Sequence, residues 1–264
     1  MSISHKFGGA PDEERLVPPV LIAARMSSSR LPGKALIEFG SRPLLAYVVE
    51  AAASVQGISQ VMVVTSRESS DDPIARWCES NNVDVWRGSL NDVAARMLAA
   101  ADSVGADSLV RVSGDSPMID PGIISFAVQR FKRLRPDLVT NVRPRSFPAG
   151  QSVEVIRTRT LKRLLESSGD QPGDREHVTP VLYRHESEIW IDRFTPSDMR
   201  AYGPSPRGPY RSMTVDTPED AACFDRVIRD LGDTCIWKQG WEHCEELMRA
   251  ADAESRTSLG EEHA

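Results

Sequence analysis

The sequence predicts an α/β protein built on a parallel sheet with helices on both faces, and three observations support this. Short apolar runs of strand length alternate along the chain with segments of helical period. A loop rich in cations follows directly on the first apolar run, and acidic residues follow two later ones. The carboxyl ends of strands are where ligands bind in open α/β sheets. The 264 residues can bury one substantial core, expected at 17–253 between disordered polar tails at 1–16 and 254–264.

Val20 to Ala23 reads as a buried strand by composition. After the loop, Ser41 or Arg42 should cap a helix that has Pro43 in its first turn, because Leu44, Leu45, Val48 and Val49 recur at helical spacing. Ile58 to Thr65 is a second buried strand. Asp71-Asp72-Pro73 opens the next helix with acids at its positive end. A short strand at Val83 to Trp86 precedes a helix capped within Ser89 to Asp92, whose apolar stripe is Val93, Met97 and Ala101. Ser108 to Val112 is a strand, Pro121 to Leu134 a helix and Leu138 to Asn141 a strand. Val142 to Gln151 holds Arg, Pro and Gly and reads as an excursion from the sheet. A strand at Val153 to Arg157 and a helix at Thr158 to Leu165 follow. Ile189 to Phe194 and Tyr210 to Val215 are the last expected strands, separated by a Pro-rich connection. Helices at Ala221 to Leu231 and Trp237 to Ala250 end the ordered chain.

The formal charge of −6 and the pI of about 5.5 exclude a nucleic-acid-coating surface but leave room for a local basic pocket. Cys78, Cys223, Cys235 and Cys244 have no zinc-ligand spacing and read as reduced thiols. The first fifteen residues lack an apolar core, so no signal peptide is expected, and no run reaches membrane-spanning length. The expected location is the cytoplasm.

The loop from Ala24 to Leu36 sets Arg25, Arg30 and Lys34 among Ser27, Ser28 and Ser29, with Pro32 and Gly33 bending the chain. Guanidinium and ammonium groups neutralise phosphate charge, and exposed backbone N–H groups approach its oxygens, so the loop suits a nucleoside triphosphate. A solvated basic turn is the plain alternative. Neither G-x-x-x-x-G-K-[ST] nor a strand-borne G-x-G-x-x-G occurs, which removes the main support for ATPase and dinucleotide-dehydrogenase readings. Asp115 and Asp216 each follow a strand, so both belong on the ligand-binding rim, where paired carboxylates can share Mg²⁺ with substrate phosphates. Each could instead serve as a helix cap, as Asp120 before Pro121 does more simply.

These segments, in this order, resemble the cytidylyltransferase family that includes the CMP-sugar-acid synthetases, most closely its spore coat polysaccharide biosynthesis branch. The matching motifs are R-M-x-S-S-R-L-P-G-K at Arg25 to Lys34, G-D-x-P-x-I-D at Gly114 to Asp120 and V-D-T-P-E-D at Val215 to Asp220. Together they cover about Val20 to Leu231. The resemblance implies a three-layer α/β/α sandwich of the nucleotide-diphospho-sugar transferase (Rossmann-like) type. It further implies transfer of CMP from CTP to a sugar acid, with release of pyrophosphate.

By the same resemblance, Ala23, Ala24, Arg25, Ser28, Ser29, Arg30, Gly33, Lys34, Ser113 and Asp115 bind the nucleotide, with Lys34 and Arg30 catalytic. Asp115 and Asp216 correspond to ligands of Mg²⁺, and Glu154, Arg175, Glu176 and His177 to the acceptor side. Arg143 and Arg145 could add anion contacts or be simply solvated. Where relatives read F-P-x-G-L-D-V-E-V, this chain has Ser152 in place of the Asp, so acceptor identity does not transfer. A homodimer is implied, with no nucleic-acid or membrane partner.

Two other readings compete. A metal-dependent glycosyltransferase of related fold usually shows D-x-D at a strand end, and this chain has G-D-S-P there. A catalytically silent nucleotide-sugar-binding module should have lost some of Arg30, Lys34, Asp115 or Asp216, and all are present.

Overall fold

The computed structural model describes residues 17–169, 171, 173–199, 209–232 and 235–261; the polar N-terminal tail expected at 1–16 lies outside them. Its centre is a seven-stranded sheet. In chain order the strands are β1 (Val20–Ala23), β4 (Val61–Ser66), β5 (Asp84–Gly88), β6 (Ser108–Ser113), β7 (Leu138–Thr140), β8 (Glu154–Arg157) and β9 (Ile191–Arg193). Spatially they run β5-β4-β1-β6-β8-β7-β9, with β8 alone antiparallel to its neighbours. β2 (Glu38–Phe39) and β3 (Arg42–Pro43) form a separate two-stranded hairpin after the cationic loop.

Alternation along each strand builds a core on both faces. Val20 and Ile22 of β1 point into a cluster with Val63, Val110, Val112 and Val155, covered by α1 (Leu44–Ala53), α2 (Asp72–Ser80) and α4 (Pro121–Leu134). Leu21 points the other way, with Met62, Val64, Leu109 and Ile156, under α3 (Val93–Ser103), α5 (Thr158–Ser167) and α7 (Pro180–Arg184). The result is the three-layer sandwich. α6 (Asp174–His177) is a single turn packed on α3. α8 (Pro218–Leu231) and α9 (Trp241–Glu261) enclose a third cluster in which Phe224 meets Phe39 and Tyr47 edge-on.

Several local expectations are corrected. Arg42–Pro43 is strand rather than helix, and Pro43, at φ −68° and ψ 156°, caps α1 from outside. A proline's fixed φ suits either role, so sequence alone could not separate them. Tyr210–Val215 is not a strand. Its alternating Met213 and Val215 are buried in the third cluster, and Met213 N–H and Val215 N–H donate singly to the carbonyls of Ala149 and Asp115 at 2.8 and 2.9 Å. A period of two records burial of every second side chain, which an extended segment achieves without a ladder. At the C-terminus, α9 runs on to Glu261, past the position where the polar tail is expected to begin.

Candidate active site

β1 ends at Ala23, and the cationic loop follows at the carboxyl edge of the sheet. The N–H groups of Ser28 and Gly33 both donate to the Met26 carbonyl at 2.9 Å, closing the loop on itself. Gly33, at φ +74°, then leads into a 3-10 turn at Lys34–Leu36. Next door, β6 ends at Ser113, and Gly114 N–H donates to Ala23 O at 2.8 Å. A Cβ on Gly114 would stand 2.8 Å from that same oxygen, so only glycine lets the two strand exits approach this closely. Asp115 follows immediately. Its carbonyl accepts Val215 N–H, which brings Asp216 alongside.

The charged groups converge here. Lys34 Nζ donates to Asp115 Oδ2 at 2.9 Å and to Asp216 Oδ1 at 2.6 Å, while Arg30 Nη2 lies 3.2 Å from Asp216 Oδ2. Burial works to raise the Asp216 carboxyl, but the hydrogen bond and charge of Lys34, with help from Thr214 and Arg30, hold it below its ordinary value. Thr217, not Asp216, is the N-cap of α8, in a capping box with Asp220. Both Asp216 oxygens therefore face the loop cations, and Oδ2 also accepts from Thr214 Oγ1 at 3.1 Å. Asp120, by contrast, is the cap the sequence suggests, accepting Gly122 N–H at 2.6 Å.

A cavity of about 410 Å³ opens above this cluster. Of the residues expected at the nucleotide, Ala23, Ala24, Arg25, Ser28, Ser29, Arg30, Lys34, Ser113 and Asp115 line it, and so does Asp216. Gly33 does not; it shapes the loop behind. On the acceptor side Glu176 and His177 line the cavity, with Glu176 accepting from Arg25 at 3.3 Å. Arg175 points away to Asp92, 2.7 Å from its carboxylate. Glu154 is also outside the cavity, because it faces inward from β8 and is 1% exposed. Arg143 stacks over the Tyr183 ring, and Arg145 donates to Ser152.

Two cationic residues that sequence reasoning missed complete the wall. Arg111 of β6 pairs across the sheet with Glu154 at 3.0 Å. Glu154 in turn accepts from Tyr183 Oη at 2.6 Å, and that hydroxyl also meets Thr140 Oγ1 at 2.7 Å. Burial and the adjacent Glu154 push the Tyr183 hydroxyl far above its ordinary value, so it stays a donor. The signal was an arginine inside an otherwise apolar strand, two residues before Ser113 and on the same face. Arg96 of α3 is 3% exposed and donates to Ser89 O at 2.7 Å. It passes over Gly88, where a Cβ would fall 2.7 Å from its Cγ. Its signal was a charged residue inside the apolar stripe of α3, between Val93 and Met97.

Asp115 and Asp216 offer hard carboxylate oxygens from two adjoining loops, which is the donor chemistry Mg²⁺ takes alongside substrate phosphates. No cluster of three or more His, Cys, Asp or Glu occurs among the described residues, so a metal here would rest on these two and on the phosphates. The pair fits that role, with Lys34 as the counter-charge in this structure.

Taken together, an open α/β sheet with a cationic loop and two carboxylates at its carboxyl edge defines a nucleotidyltransferase. The chain belongs to the cytidylyltransferase family, a class of CTP-dependent nucleotidyltransferases, whose family model matches residues 19–255. It is 27% identical to the spore coat polysaccharide biosynthesis protein SpsF of Bacillus subtilis over 81% of this chain and 87% of that one. It is 35% identical to the 3-deoxy-manno-octulosonate cytidylyltransferase of Mesorhizobium japonicum, over 46% of this chain and half of that enzyme's length (50%). Among solved structures, a cytidylyltransferase from Leptospira borgpetersenii superposes with a TM-score of 0.75 at 28% identity, over 88% of this chain and 96% of that one.

Proposed function

We propose that this protein transfers CMP from CTP to a sugar acid or a related small acceptor and releases pyrophosphate. The observation that supports this most directly is the convergence of Lys34 and Arg30 on Asp115 and Asp216 at the mouth of a cavity of nucleotide size. In such a transfer an acceptor oxygen attacks the α-phosphorus in line, and the protein contributes position and charge rather than covalent chemistry. Mg²⁺ held by Asp115 and Asp216 would neutralise phosphate charge as pyrophosphate leaves. Lys34 and Arg30, on flexible stems, would turn from those carboxylates to the phosphate oxygens. Ala23 and Ala24 leave room for the base to approach backbone.

On the opposite wall, Glu176 and His177 can meet acceptor hydroxyls, while Arg111, aimed by Glu154 and Tyr183, supplies a fixed cation for an anionic group. The name of the SpsF relative supports a product destined for spore or cell-surface polysaccharide; a cytoplasmic enzyme that works as a homodimer is proposed on the family resemblance alone. The test is thermal shift with Mg²⁺ and each of CTP, UTP, ATP and GTP, followed by pyrophosphate release with a panel of sugar acids and sugar phosphates. A ligand at about 100 times its Kd adds about 2.7 kcal/mol of stability. A shift selective for CTP supports the reading. A shift with nucleotide-sugars alone overturns it.

A further inference from the structure

We propose that Asp71 is a positioning residue for the nucleotide, holding the phosphate loop in its binding shape through the backbone of Met26. This rests on the reading of the loop as the CTP site. Asp71 lies outside the cavity, at the start of α2, and is fully buried at 0% exposure. Burying a carboxylate is costly unless its oxygens are satisfied, and among the described residues no cation pairs with it. Its contacts are hydrogen bonds instead. One oxygen accepts Met26 N–H at 2.7 Å, and the other accepts Ser66 N–H at 3.1 Å and the Ser66 hydroxyl.

The two ends of this bridge explain its use. Ser66 is the last residue of β4, part of the rigid sheet. Met26 is the hub of the phosphate loop, because its carbonyl closes the turn by accepting both Ser28 N–H and Gly33 N–H at 2.9 Å. Arg30 lies inside the ring so closed, and Lys34 follows it directly. One carboxylate therefore ties the segment that carries both catalytic cations to the exit of a central strand. Burial works to raise the Asp71 carboxyl, and the hydrogen bonds from Met26 and Ser66, with a smaller contribution from the Thr65 hydroxyl, outweigh it, so the group stays ionised as an acceptor. The same charge acts favourably on the buried Arg96 in the cavity wall.

A helix cap would spend its oxygens on the first turn of its own helix, and Asp71 makes no side-chain bond of that kind to α2. Its bonds run backward to β4 and across 45 positions to the loop.

The experiment compares full-length wild type, Asp71→Asn and Ser66→Ala by amide hydrogen exchange without ligand and by titration calorimetry with Mg²⁺ and CTP. Asn keeps the size but turns an N–H₂ toward one of the donors. In Asp71→Asn, exchange should accelerate at Met26, Ser28 and Gly33 while β1 and β6 keep wild-type protection. CTP should bind about 10–100-fold more weakly, the range seen when an outer-shell partner of a site is removed. Ser66→Ala, which loses one donor and leaves the Met26 bond, should move both readouts the same way by less, and it decides the matter if Asp71→Asn fails to fold. Unchanged loop exchange in a folded variant, or acceleration spread evenly over the whole sheet, overturns the anchoring role. Wild type that fails to bind CTP overturns the reading of the loop instead, and the exchange result still tells whether Asp71 holds it.

Discussion

The ammonium of Lys34 donates at 2.6 Å to Asp216, a residue 182 positions further along the chain, and at 2.9 Å to Asp115. In the function proposed, charge that stabilises phosphate is thus held against the carboxylates fitted to hold a metal. Removing it should act on the reaction more than on the fold. Lys34→Ala and Asp115→Ala should each lower kcat by about 10²–10³, the cost of about 2.7–4 kcal/mol for one lost electrostatic contact to the transition state. The side chains are only 15% and 21% exposed, so folding of each variant is checked by circular dichroism. Pyrophosphate release at saturating CTP measures the effect, and wild-type turnover in either variant removes that residue from the mechanism.

The Asp216 carboxyl, held below its ordinary value of 3.8, links the site to pH. A depressed folded value means stability that is present above 3.8 and is lost as pH falls through the lower folded value. Wild type should therefore melt above Asp216→Asn near neutral pH, and the gap should close as the solution is acidified below 3.8. A gap that widens on acidification would contradict the assignment.

Tyr183→Phe removes the donor to one oxygen of Glu154, which is 1% exposed and, among the described residues, keeps the Arg111 guanidinium on its other oxygen. A buried acceptor left short of a hydrogen bond costs about 1–3 kcal/mol. At about 2–4 °C per kcal/mol for a chain of this size, the melting temperature should fall by several degrees. The affinity for CTP should change little, since Tyr183 lies behind the acceptor wall; an equal loss of CTP binding would place Arg111 at the nucleotide instead.

Gly114→Ala should disturb both strand exits at once. The added methyl meets the Ala23 carbonyl at 2.8 Å, and backbone cannot yield as a flexible side chain does. Overpacking of this kind costs about 1–3 kcal/mol. Urea denaturation should show the lower midpoint, and calorimetry a weaker CTP affinity, because Ala23 and Ala24 carry the displaced wall. A variant as stable as wild type would mean that the two exits separate freely.

The cysteines offer a check on the core. Burial pushes the thiols of Cys78 and Cys244 up to about 12, whereas Cys235 is partly exposed. A thiol reagent at neutral pH should modify Cys235 first and reach Cys78 and Cys244 only on unfolding. Rapid labelling of Cys244 in the folded protein would show that α9 detaches from the body.

The sequence by itself determined the layered α/β plan, because hydrophobic period records which faces are buried, and this signal is local. It determined the cationic loop after β1 and both rim acids as well, since a basic turn after a strand and an acid after Gly114 are patterns of a few consecutive residues. Helix α4 was legible to its ends from Pro121 and the apolar spacing. Only the tertiary structure decided which charges meet. It put Lys34 between Asp115 and Asp216 and turned Arg175 outward to Asp92. It buried Glu154 behind Arg111 and gave Asp71, at the opening of α2 as expected, bonds to Ser66 and to Met26 of the loop. It also denied Tyr210–Val215 a place in the sheet, although their alternation is that of a strand. The physical reason is common to all of these: short-range pattern fixes whether a side chain is buried, whereas its partner is set by packing between segments far apart in the chain.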